Sequence, residues 1–79
     1  MQGNWKREQG TVSNLQKMRI KRGMTQAELA KRAGISTAVL ARYEIKDRNI
    51  NRASVSTVIR LAGALHCEIM DIIENESAY

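Results

Sequence analysis

A chain of 79 residues makes one small domain, near the lower limit at which an apolar core sustains itself, and its single cysteine, Cys67, excludes an internal disulfide and fits a reducing cytosol. There is no Pro or Phe, strand-favouring alternation is absent, and no apolar run approaches the ~18 residues of a membrane span, so the chain reads as all-α and not membrane-spanning. The charge is segregated: residues 1–60 hold all 13 Lys and Arg against Glu8, Glu28, Glu44 and Asp47, a balance of +9, while residues 61–79 hold only Glu68, Asp71, Glu74 and Glu76, a balance of −4. A basic body with an acidic end suits a polyanion docking on the N-terminal part.

Residues 1–12 show no periodicity, contain Gly3 and Gly10, and read as a flexible N-terminal arm without the apolar core of a signal peptide. Its "NWKR" leaves open entry into a minor groove, as homeodomain arms do, packing of Trp5 on the domain or on a second subunit, or an idle arm. The folded domain is expected over residues 13–74. A first helix starts at Ser13, where "SNLQ" has the form of a capping box; it turns Leu15 and Met18 inward and stops at Gly23. A second helix opens with another box, "TQAE", in which Thr25 caps free amides and Glu28 reaches back. Leu29, Ala30 and Ala33 share one face, and Gly34 ends it.

A third helix follows Ser36 as N-cap, carries Val39, Leu40 and Tyr43 at helical spacing, and runs to about Ile45 or Lys46. The polar stretch "KDRNINRAS" is a loop. Ser54 caps a fourth helix, "VSTVIRLAGALH", with Val55, Val58, Ile59, Ala62 and Leu65 inward. A short fifth helix, "EIMDII", completes the bundle with Ile69, Ile72 and Ile73, and residues 75–79 form a short acidic tail.

The segment "TQAELAKRAGISTAVLARYE" also satisfies a geometric requirement. Two helices crossing at about 90–120° through a turn of three or four residues need small residues where they touch. Ala30 sits one turn before the end of the second helix, where a larger side chain would meet the third, and Gly34 stands where a positive φ is needed. Ile35, Leu40 and Tyr43 then bury the underside of the third helix against the first, fourth and fifth. With Leu29, these make six positions in register with a helix-turn-helix.

With "MTQAELAKRAGIS", "RYE" and "LAGALH", the segment from about Leu15 to Ile73 resembles the Cro/phage-repressor type of helix-turn-helix domain, the XRE family. The resemblance implies a compact five-helix DNA-binding bundle that works as a homodimer on a two-fold-symmetric operator in double-stranded DNA. It implies that Gln26 touches phosphate or supports base contacts. Ser36, Thr37 and Ala38 would open the recognition helix, and Arg42 would face bases one turn later. Lys46, Arg48 and Asn49 would lie along phosphates, while Arg19 and Glu44 would form a structural salt bridge. Two departures stand out. "IK" replaces the glycine usual after Glu44, which suggests a longer third helix because Ile45 resists the left-handed region. The following loop is also a residue or two longer than usual.

Within that frame the outward face of the third helix is sparse. Thr37 can meet a base edge or a phosphate, Ala38 and Ala41 offer methyl groups to thymine, and Arg42 can bond guanine O6 and N7. Phosphates would supply much of the affinity through Gln26, Lys46, Arg48 and Lys31 or Arg32, whereas Lys17, Lys21 and Arg22 read as surface charge. His66 and Cys67 have no companions at metal-ligand spacing and no glycine-rich phosphate loop is present, so neither an enzyme nor a cofactor is expected. The rival function is protein binding, as an antitoxin or bridging module of the same fold. For self-association, Ile69, Met70, Ile72 and Ile73 exceed what one face of so short a helix can bury and are the expected dimer contact, with the end of the fourth helix. The alternative is that they close the core of a monomer.

Overall fold

The computed structural model describes residues 12–75, so the arm lies outside the described residues up to position 11, and the tail from position 76. Four α-helices and two 3₁₀ turns follow in order: α1 (Asn14–Lys21), α2 (Gln26–Ala33), α3 (Thr37–Glu44), a turn at Ile50–Arg52, α4 (Val55–Leu65) and a turn at Ile69–Asp71. Among the described residues there is no strand, and no helix is long and apolar enough to cross a membrane.

Local chemistry accounts for the helix boundaries. The hydroxyls of Ser13, Thr25, Ser36 and Ser54 each accept from the backbone N–H three residues on, satisfying an amide that the helix leaves free. At α2 the box closes in both directions, with Thr25 N–H donating to Glu28 at 2.8 Å and Glu28 N–H donating to the Thr25 hydroxyl at 3.1 Å. These bonds to Thr25, backbone before side chain, hold the Glu28 carboxyl below its ordinary pKa. At α1 only the forward half forms, from Gln16 N–H to Ser13. Gly34 ends α2 at φ +73°, and its N–H and that of Ile35 return to carbonyls of the last turn.

Leu15, Leu29, Leu40, Ile50, Leu61, Leu65 and Ile72 are fully buried, with Ala30, Ala33, Tyr43, Val58 and Ala62 around them. α2 packs mainly on α4 and then on α3, where Ala30 and Ala33 permit close approach. α1 leans on α3 and on the last 3₁₀ turn. The principal neighbours of α3 are therefore α1 and α2 rather than the fourth and fifth elements.

Several sequence expectations are corrected. Val55 and Ile59 are 72% and 52% exposed; the inward stripe of α4 is Val58, Leu61, Ala62 and Leu65. Val55 stands in the first turn with its Cβ tilted off the end of the core, and Ile59 is rotated onto the flank. The loop before α4 contains a 3₁₀ turn that plugs Ile50 into the core. The fifth helix shrinks to Ile69–Asp71, closed by the Asp71 carboxylate accepting from Glu68 N–H at 2.9 Å.

The glycine-free end of α3 is solved one residue late. Ile45 stays at φ −91° as C-cap, and Lys46 takes the left-handed position at φ +65°, so α3 is not extended. The N–H groups of Asp47 and Arg48 both donate to the Arg42 carbonyl, at 3.0 and 3.2 Å, folding the chain back under the helix.

Candidate nucleic-acid interface

The helix-turn-helix is anchored from beneath by one buried carboxylate. Glu44, 1% exposed, accepts from Arg19 Nε at 2.6 Å and from a second guanidinium nitrogen at 3.1 Å. Arg19 also donates to the Met24 carbonyl at 2.8 Å, tying the α1–α2 connection into the same centre. Gln26, at the first position of α2, donates its amide N–H to Glu44 at 3.0 Å. Three elements thus meet on Glu44, and every lone charge is compensated, which a buried ion requires.

Above this anchor the outer side of α3 is open. Thr37, Ala38 and Arg42 are exposed and Ala41 is half-buried. Among the described residues no hydrogen bond or ion pair occupies the side chains of Thr37 or Arg42. Ser36 is exposed but its hydroxyl is held by Val39 N–H at 3.1 Å, so its first duty is capping. The free N-terminal amides of α2 and α3 supply fixed partial positive charge to a phosphate.

The loop expected to lie along phosphates is less uniform than its sequence suggests. Arg48 is exposed, with its guanidinium 5.9 Å from the Tyr43 ring centroid, a cation–π distance. The Asn49 side chain accepts from Asn51 N–H at 2.8 Å and caps the 3₁₀ turn. Lys46 points inward: its side chain is 16% exposed and its ammonium lies 3.7 Å from Glu74. Of the loop's predicted contacts, Arg48 is presented outward and Lys46 is not.

Glu74, counted by charge with the acidic end of the chain, is not a solvated acid. It is 9% exposed, and its carboxylate accepts from Asn14 N–H at 2.6 Å at the start of α1. Its backbone pairs twice with the Asn51 side chain, at 2.6 and 2.8 Å, and Asn14 donates to the Ile73 carbonyl at 2.9 Å. This clasp joins the start of α1, the loop after α3 and the C-terminal segment. Arg22, expected as surface charge, instead caps α4 by donating to the carbonyls of Leu65 and His66 at 2.8 and 3.1 Å. Neither role had a local sequence signal.

Of the expected dimer contacts, Ile72 is fully buried and unavailable to a partner. Met70 is 76% and Ile69 39% exposed, and Ile73 is half-buried. With Val55, Val58, Ile50 and Ala53, the residues Ile69 and Ile73 line a groove of about 340 Å³. Val55 and Met70 stand exposed at this end of the molecule. The start of α4 lines this groove together with the last 3₁₀ turn. Among the described residues no group of His, Cys, Asp and Glu has metal-holding geometry, and burial pushes the Cys67 thiol above its ordinary pKa.

A family model described as helix-turn-helix matches residues 15–72, spanning everything from the first buried leucine of α1 to the last buried isoleucine. No curated protein matches the chain.

Proposed function

Since the chain belongs to the helix-turn-helix family of the Cro/C1, or XRE, type and is a DNA-binding regulator of that kind, we propose that it is a sequence-specific transcriptional repressor acting as a homodimer on an inverted-repeat operator. The observation that carries the reading is the outer face of α3, exposed among the described residues and held from below by Arg19 and Glu44. A rod fixed on one side and bare on the other fits the major groove, whose width admits one helix.

Thr37 and Arg42 read bases, with Ala38 and Ala41 allowing close approach and methyl contact with thymine. Arg48, Lys31 and Arg32, all exposed, together with the backbone amides at the start of α2 and α3, hold phosphates. The site is small, so one protomer reads too few base pairs for genomic selectivity, and a second copy is needed. Val55, Ile69, Met70 and Ile73 are where that copy packs. The two recognition helices then lie about one helical turn, roughly 34–36 Å, apart.

The test is selection from random duplexes at two salt concentrations. A symmetric enriched site whose binding weakens steeply with salt supports the proposal; no enrichment refutes it. The second reading, a protein-binding module, is favoured by the same apolar groove. Such a module would keep its function without Arg42.

A further inference from the structure

We propose that the apolar groove between the start of α4 and the last 3₁₀ turn is the docking site of this chain's own N-terminal arm, with the Trp5 indole seated in it. The groove, about 340 Å³, stands at the lower end of the roughly 300–1,000 Å³ of cavities that hold a small organic group, room for one large aromatic side chain. Its walls are Ile50, Ala53, Val55, Val58, Ile69 and Ile73. The polar residue of the lining, Asn51, commits its amide to the backbone of Glu74. An indole suits such a place, with a broad apolar face for the walls and an N–H left in water at the open side.

Three observations select the occupant. The first is where the arm joins the domain. Asn14 donates its backbone N–H to Glu74 at 2.6 Å and its side-chain amide to the Ile73 carbonyl at 2.9 Å, and Ile73 is itself a wall of the groove. Trp5 stands nine residues before Asn14, a tether of at most about 30 Å. So short a tether gives an effective concentration in the millimolar range, enough to populate a weak apolar contact. The second is the supply of aromatics: the chain has one Trp, two Tyr and no Phe, and Tyr43 is in the core, which leaves Trp5 and Tyr79. The third is charge. Exposed Glu68 and Asp71 flank Ile69 and Met70, and the arm is net basic beside Trp5, with Lys6 and Arg7 against Glu8, whereas Tyr79 follows the acid Glu76. The acids therefore attract the arm and repel the tail. A second copy at this end does not compete. A two-fold contact sets the groove against its own image, and a groove already filled leaves no void between the two.

Because Trp5 is the chain's one tryptophan, its fluorescence in the intact protein, without DNA, is the test. Its emission is expected to lie to the blue of the urea-unfolded chain, with quenching by acrylamide reduced several-fold. Both features should hold as the protein is diluted through the range in which sedimentation detects a dimer. Val55→Asp puts a charge on the groove wall at the first position of α4, where an acid suits the helix end. It should keep the circular dichroism of the wild type and return Trp5 to the emission and quenching of the unfolded chain. Ile69→Asn, on the facing wall, should do the same. Trp5→Ala should lower the melting temperature of the wild type and leave that of Val55→Asp unchanged. Lys6→Ser with Arg7→Ser should weaken the protection, as should added salt. Unfolded-like emission from the wild type overturns the proposal. So does blue emission that both groove variants leave untouched, which would put Trp5 elsewhere on the domain. Protection that fades on dilution would give the groove to the second copy, and protection gained only with a duplex would give the arm to DNA; either result overturns the assignment.

Discussion

Replacing Glu74 with Ala tests whether the C-terminal clasp holds the domain together. The substitution removes a 2.6 Å charge-assisted bond to the Asn14 N–H and a 3.7 Å ion pair with the largely buried Lys46, while leaving the backbone bonds to Asn51 in place. A hydrogen bond to a charged group contributes about 1.5–3 kcal/mol, and the carboxylate also sits favourably at the positive end of α1. The long Lys46 pair adds less than about 1 kcal/mol, and the carboxylate's own desolvation offsets part of the total. The expected loss is about 2 kcal/mol, or roughly 8–16 °C in melting temperature for a domain of this size. Urea and thermal unfolding followed by far-ultraviolet circular dichroism measure it. Glu74→Gln, which can still accept from Asn14, should lose about half as much, and the exposed Asp47→Ala should stay within about 0.5 kcal/mol of wild type. A Glu74→Ala protein as stable as the Asp47 control would refute the clasp.

Four other outcomes are expected. Gly34→Ala should cost about 1–2 kcal/mol in unfolding experiments, because φ is +73° there; the added Cβ meets only the flexible end of Arg60 at 3.4 Å, so strain and not collision sets the loss. Arg42→Ala should relax preference at one base pair per half-site by about 1–3 kcal/mol in competition binding, with a shallower salt dependence if the same guanidinium also neutralises phosphate. Met70→Glu, at a 76% exposed position, should leave the melting temperature within a few degrees while sedimentation at micromolar concentration shifts to monomer. With Lys46 turned inward, Lys46→Met should change the slope of log K against log salt by much less than the roughly 0.9 expected of a phosphate contact, whereas Arg48→Met should change it by about that amount.

What was legible in the sequence is what acts over a few residues. Ser13, Thr25, Ser36 and Ser54 cap the amides three positions on, and Gly34 meets the need for a positive φ, so helix starts and the central turn follow from local stereochemistry. The outward phase of Thr37, Ala38 and Arg42 follows from helical period once Leu40 and Tyr43 are inside. The features without a local signal depend on distant partners or on local packing. Glu74 meets a residue 60 positions earlier, Arg22 caps a helix that ends 43 positions later, and Gln26 is oriented by a carboxylate 18 positions away. A charge count cannot tell an exposed acid from one that closes the fold. Ile50 was hidden for another reason: a single apolar residue in a polar run has no periodicity, yet a 3₁₀ turn suffices to bury it.

The segregated charge takes a different meaning once these partners are known. Arg19, Arg22 and Lys46 are turned to Glu44, to the carbonyl end of α4 and to Glu74, so the basic body contributes fewer cations to its surroundings than its composition implies. Those left exposed include Lys31, Arg32, Arg42 and Arg48, on the last turns of α2 and α3 and the loop beyond, and also Lys17 and Lys21 on α1, Arg52 in the 3₁₀ turn and Arg60 on α4. The acids left exposed on the C-terminal segment, Glu68 and Asp71, flank Met70 on the apolar end. Internal pairing therefore reduces the number of free charges on both parts of the chain while leaving the sign of each in place. Under the proposed function, the four exposed cations of the helix-turn-helix draw a phosphate chain to that surface, and Glu68 and Asp71 disfavour it beside Met70.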